Sequence, residues 1–454
     1  MDNNVLWSLR LGFSAKQASA IEKEGLKKFL KKSFDSSFTQ TEPAFLAGLP
    51  RTQEESKKVM GEANASPETK KALQKITADI WENMRSWWLR KMAEDTYPLR
   101  EKMVVFLHNH YVASQNNVGL TIYAYQHNQL LREGAFSNFR ELTKKVVRSN
   151  AVIWYLNNNS NVQGKYNENL SRELLELFTL GVGNYTEQDI KNGAKGLAGL
   201  GVGLEAGKYN PAKENNDAFE YLGRTGNFKS DAMVDVIFSQ KDAPYHITRK
   251  LLKWFIYDTP PEELVKYYGD YLAKVDYEIK PFLEKVFTEE YKKATAGSNI
   301  KDPLVFILQV IDELGIKTDR YEVIQYFLRN QNMELFRQPN VKGWDGGKSW
   351  LSAQLYIQRN TAADDLCKGK LIGKKMLPDE KHNNIPQPRL KNKGNNKQII
   401  EELKARLLFT ADEALQKNME TILPHDFNMA GAGADAAINR LFNYMIKTPE
   451  FQII

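Results

Sequence analysis

Two histidines, His108 and His110, stand two residues apart in the stretch Pro98-Leu-Arg-Glu-Lys-Met-Val-Val-Phe-Leu-His-Asn-His-Tyr-Val-Ala-Ser114, where almost every later neighbour is apolar. Imidazole changes charge near neutral pH, so either ring could move a proton or ligate a metal. The run Met103 to Leu107, followed by Tyr111 to Ala113, leaves no solvated face. The spacing therefore predicts a buried central helix. Buried imidazoles need polar partners. The expected supplier is a second helix, Tyr166-Asn-Glu-Asn-Leu-Ser-Arg-Glu-Leu-Leu-Glu-Leu-Phe178, whose Glu168, Arg172, Glu173 and Glu176 alternate with leucines.

On a regular helix Glu168, Arg172 and Glu176 share one face, at i, i+4 and i+8. Exposed, they form an ion-pair ladder worth about 0.2–0.5 kcal/mol per pair. Partly buried, each charge must be paired or shift its pKa. Glu173 sits about 100° around from Arg172 and could face His108 or His110. Two readings stay open. In one, Glu173 or Glu168 and His108 or His110 are acid and base, with Arg172 holding an anionic group. In the other, the same residues only tie two helices together. A single divalent metal is a candidate cofactor of unknown identity. The two imidazoles, at i and i+2, point to different faces and cannot easily clasp one ion, and the Glu-x-x-His repeat of helical di-iron centres is missing.

Three more residues are candidate ligand contacts. His246 and Lys250, in Pro244-Tyr-His-Ile-Thr-Arg-Lys-Leu-Leu-Lys-Trp254, share a helical face at i and i+4. Trp344, in Pro339-Asn-Val-Lys-Gly-Trp-Asp-Gly-Gly347, offers a flat apolar face of the kind that stacks on sugars or bases. That loop lacks the strand-to-helix context and Lys-Ser/Thr ending of a phosphate loop. His127, among aromatics and amides, fits a groove or an interface equally well.

The elements that must position these residues are helical. Amphipathic spacing runs over 15–33, and residues 50–75 are charged and free of aromatics, as in a solvated helical arm. Further helical segments are expected over 123–131, 136–147, 231–257, 261–291, 303–314 and 320–336, with a final pair over 399–415 and 434–446. Residues 199–226 mix Gly, Asn, Pro and aromatics without period, so a long connection with a small hairpin is expected there. The fold class is mainly α: a multi-helix globular bundle with long irregular connections and little or no β. The expected organisation is an N-terminal helical arm (1–75), a helical core carrying the polar site (76–367), a basic flexible loop (368–397), and a C-terminal helical segment packed on the core (398–454).

Several of these stretches resemble one family. Leu9-Arg-Leu-Gly-Phe-Ser14, Leu107-His-Asn-His-Tyr111, Asn167-Glu-Asn-Leu-Ser-Arg-Glu-Leu-Leu-Glu-Leu-Phe-Thr-Leu-Gly181, Asn184-Tyr-Thr-Glu-Gln-Asp-Ile190, Gly223-Arg-Thr-Gly-Asn-Phe228, Phe336-Arg-Gln-Pro-Asn-Val-Lys-Gly-Trp344 and Thr448-Pro-Glu-Phe-Gln452 occur in the order of a bacterial family catalogued as domain of unknown function 1800. The resemblance covers nearly the whole chain. It implies one mostly helical fold and brings no assigned reaction. Phe178 stands where the family often has His, and Ala198-Gly199-Leu200 where it often has Thr-Gly-Trp.

Composition narrows the classes further. With 42% hydrophobic residues in 454, including 22 Phe, 20 Tyr and 8 Trp, the chain can bury a large core and is not intrinsically disordered. The single cysteine, Cys367, excludes an internal disulfide framework and a multi-thiolate metal site. The net charge of +7 is concentrated between Lys368 and Lys397, where eight lysines and Arg389 face only Asp379 and Glu380. Without interleaved aromatics that tract suits a solvated loop better than a nucleic-acid surface. A small-molecule or carbohydrate ligand is the expected partner; the oligomeric state is left open. No window approaches the roughly 18 apolar residues of a membrane span. The N-terminus shows no export signal, so a cytoplasmic location is expected, or an exported one if a leader has been cropped.

Overall fold

In the computed structural model the described residues are all of 1–454 except 39, 64–65, 318, 371, 373–384, 392–393, 426 and 432. Twenty-one α-helices account for most of them. The only sheets among the described residues are two antiparallel hairpins, Leu200–Gly201 with Lys208–Tyr209 and Phe219–Tyr221 with Arg224–Gly226. The fold is mainly α.

Helix Leu99–His110 lies in the middle, with every residue except Asn109 buried. Two of its charged residues are paired, as buried charge requires, and Arg100 donates to the carbonyls of Arg132, Phe34 and Ser36. Glu101 accepts a two-pronged contact from Arg132 (2.7 and 2.9 Å) and the indole N–H of Trp88 (2.9 Å). Lys102 pairs with Asp302 at 3.0 Å. One continuous hydrophobic cluster surrounds this helix and runs from Val5 to Ile454. At its N-terminal end Trp7 packs edge-on against Phe287 and Tyr291. At the other end Ile454 exchanges backbone hydrogen bonds with Asn299.

The segment 15–33 forms two helices, Ala18–Glu24 and Leu26–Asp35, because Gly25 between them adopts φ 79°. Helix Pro67–Glu94 starts at a Ser66/Thr69 capping box with proline in its first turn; its buried residues begin at Ile80. Segments 231–257 and 261–291 each divide in two: Ser230–Phe238 and Ala243–Phe255, then Glu262–Lys274 and Ile279–Glu290. The C-terminal region holds three helices, Asn396–Leu407, Glu413–Ile422 and Ala434–Ile446. Most of the basic tract between Lys370 and Arg389 lies outside the described residues. No described helix is long and apolar enough to cross a membrane.

Candidate functional site

The helix beginning at Asn169 does not stay regular. After Asn169–Glu173 it widens into a π-helical turn, Leu174–Thr179, closed by Leu180 N–H and Gly181 N–H, both donating to the Leu175 carbonyl. Such turns recur at functional sites because they free backbone groups from the regular ladder. Here two carbonyls are taken by side chains. Leu177 O accepts from His246 Nε2 (3.1 Å) and Lys250 Nζ (2.8 Å), and Phe178 O accepts from His110 Nε2 (3.0 Å). Three candidate residues from two other helices thus converge on consecutive carbonyls. Gly181, at φ 83°, makes room: a β-carbon there would collide with the His246 ring.

A carbonyl only accepts, so Nε2 of His110 carries the proton and Nδ1 is a bare acceptor. Burial, then the neighbouring Lys250 and His246, hold His110 well below its ordinary pKa, so the ring is neutral. Burial and Lys250 bring His246 down to about 4. Burial and Lys253 bring Lys250 down to about 8. Lys250 is therefore the member of this trio that changes charge nearest neutral pH.

Beside the trio lies a cavity of about 250 Å³, walled by His110, Lys250, Trp254, Lys342, Trp344 and Trp350 among others. The Trp344 loop is fastened to the central helix through Asn109, whose side-chain oxygen accepts the Trp344 N–H at 2.7 Å. Gly343, at φ 85°, lets that loop approach, since a β-carbon would strike Asn109. Three ring nitrogens on the cavity's residues have no protein partner: Nε1 of Trp254, Nε1 of Trp344 and Nδ1 of His110. Trp254 went unnoticed in the sequence, although it continues the His246 and Lys250 spacing to i+8.

The remaining candidates stand elsewhere. His108 points away from His110, ringed by Trp88, His127 and Phe336 at 5.0–5.6 Å, and its Nδ1 meets the Gln338 amide. Burial and His127 keep it far below its usual pKa. His127 is itself a core residue, bonded to Ser149 Oγ and the Tyr111 carbonyl. The expected partnership of Glu173 with His108 or His110 is not formed. Glu173 is half-buried, its carboxyl raised by burial and by Glu176 and lowered by Arg172 and Lys342. Arg172, about one-third exposed, pairs with Glu168 (3.3 Å) and Glu187 (2.8 Å). Glu176 accepts instead from Tyr185 at 3.0 Å. The wider turn after Glu173 breaks the i+8 register on which the ladder depended, and the freed carbonyls supply the imidazoles with the partners that carboxylates were expected to give. Among the described residues, no group of three His, Cys, Asp or Glu side chains could hold a metal ion.

The family model described as protein of unknown function (DUF1800) matches residues 5–453. The chain belongs to the DUF1800 family. Set against curated proteins and solved structures, this DUF1800 chain matches none significantly.

Proposed function

We propose that the cavity beside the π-helical turn binds a small hydroxyl-rich ligand, a sugar or sugar-like unit. The unpartnered ring nitrogens carry this reading. Two indole N–H donors and one imidazole acceptor, each buried without a partner, and the Lys250 ammonium, which keeps donors beyond the one given to Leu177 O, match hydroxyl groups, which both donate and accept. The partly exposed indole of Trp254, in a wall that also holds the buried Trp344 and Trp350, supplies the flat apolar surface that the C–H face of a sugar ring needs. His110, Lys250 and Trp344 are the residues retained from the sequence-based candidates. Glu168 and Arg172, engaged with each other and about one-third exposed, take no part in it.

A catalytic version of the reading is favoured by one further fact: Lys250, held on a backbone carbonyl and brought to about 8, could lend or accept a proton close to neutrality. Tryptophan fluorescence of the full chain, titrated with neutral mono- and oligosaccharides, tests binding. Saturable quenching is expected, weakened by Trp344→Phe, which keeps the ring and removes the N–H. Absence of any saturable response, or equal affinity in wild type and Trp344→Phe, would discard the reading.

A further inference from the structure

Trp344, Asp345 and Trp350 wall a second cavity as well, of about 360 Å³, completed by Asn116, Arg329, Glu334, Arg337 and Gln338. Three guanidinium groups crowd one carboxylate here. Glu334 is met by Arg85 (3.1 Å) and Arg329 (3.0 Å) on Oε1 and by Arg337 (3.4 Å) on Oε2. Arg85 is buried and further occupied by the Leu335 carbonyl and Gln115. Arg329 and Arg337 are about half-exposed. Arg337 spends one more N–H on Asn116 (3.1 Å), so both arginines keep donors to spare out of five each. Bound to the two oxygens of one carboxylate, their planar heads lie close together, and forked heads of this kind hold oxyanions. With Asp345, exposed and also lining this cavity, three guanidinium groups stand against two carboxylates.

The segment carrying these groups is held in a costly shape. After helix Tyr321–Asn330 the backbone turns left-handed at Asn332 (φ 57°) and again at Phe336 (φ 62°). A buried phenylalanine there is unusual, and strain of this kind persists where surrounding contacts impose it, often at ligand sites. Phe336 is clamped by Trp81, Trp88 and His108, and Gln338 by His108. The strained loop presents Glu334 and Arg337 on a rigid support.

We propose that Arg329 and Arg337 form an oxyanion subsite, and that the ligand is an elongated acidic saccharide crossing the shared Trp344–Trp350 wall, its carboxylate or phosphate on the arginines and its neutral part in the first cavity. The second clause rests on the function proposed above; the subsite itself does not. Three probes are titrated into the full chain under tryptophan fluorescence: inorganic phosphate, a neutral oligosaccharide, and the same backbone bearing uronic acid or phosphate groups. Acidic chains should bind about tenfold more tightly than neutral ones, the scale of one charge-assisted hydrogen bond. That preference should vanish in Arg329→Met/Arg337→Met, with neutral binding unchanged, and partly return in the double Lys variant, which also reports on folding. Preference for uronate over phosphate chains, or the reverse, identifies the oxyanion. Phosphate quenching that is lost in the Met variant without any saccharide binding would keep the subsite and sink the sugar reading. Equal binding of acidic and neutral chains together with no response to phosphate, or a preference that survives both Met substitutions, overturns the proposal.

Discussion

The side-chain nitrogen of Gln338 lies 3.1 Å from Nδ1 of His108 and 3.1 Å from its carbonyl oxygen. A carbonyl accepts only, so the amide donates, Nδ1 accepts, and the His108 proton rests on Nε2. One amide thereby sets the tautomer of a buried ring and moors the strained loop to the central helix. Replacing Gln338 by Leu leaves Nδ1 and a carbonyl without their donor, at a cost of about 1–3 kcal/mol. Chemical denaturation should show that loss, with weaker binding in the Arg329/Arg337 cavity. An unchanged denaturation midpoint would mean that the loop is moored by its other contacts.

Acid should unfold this protein through its histidines. His127 and His246 are brought down to about 4, and His108 and His110 lie well below 6.5. Above pH 6.5 folded and unfolded chains both hold neutral rings, and stability is at its full value. As pH falls below 6.5 the unfolded chain gains protons that the folded one refuses. Stability therefore drops from about pH 6.5 toward the values near 4 of His127 and His246, by on the order of a few kcal/mol for each of those two rings, and His108 and His110 deepen the fall. Urea midpoints measured from pH 7.5 to 4.5 should fall steadily; a flat profile between 7 and 5 contradicts the assignment of neutral buried imidazoles.

Gly343→Ala should loosen the Trp344 loop. The new methyl would sit at φ 85° against Asn109, and relief requires the loop to move off the central helix. A cost of about 1–3 kcal/mol is expected, with saccharide affinity falling more than for a control substitution at Gly183, whose β-carbon would meet nothing. If both alanines behave alike, the close approach of the loop does not matter for binding.

Arg172 and Lys250 should separate stability from binding. Arg172→Ala removes partly exposed ion pairs and should change unfolding free energy by less than about 1 kcal/mol while leaving ligand affinity alone. Lys250→Met removes a partly buried ammonium while His246 still serves the Leu177 carbonyl. Its stability should be equal to or above wild type and its ligand affinity reduced, a common trade at binding sites. Loss of binding in Arg172→Ala would return the Glu168 face to consideration.

Apolar residues on every side of 103–107 and 111–113 could only pack in a core, so the burial of helix Leu99–His110 was legible in the residues themselves. So were the helical class, since 3.6-residue spacing recurs along the chain, and the common face of His246 and Lys250. What the residues could not express was the π-helical turn at Leu174–Thr179. Its hydrogen bonds are backbone to backbone, and the carbonyls of Leu177 and Phe178 that it frees have no signature in side-chain type. The partner of His110 thus came from the main chain where a carboxylate was expected. Nor could spacing show that residues 109 and 344 touch, or that Glu334 would gather arginines from positions 85, 329 and 337. Periodicity reports which face of an element is buried; which distant element covers that face depends on how all the faces pack together at once, and that was decided by the tertiary structure alone.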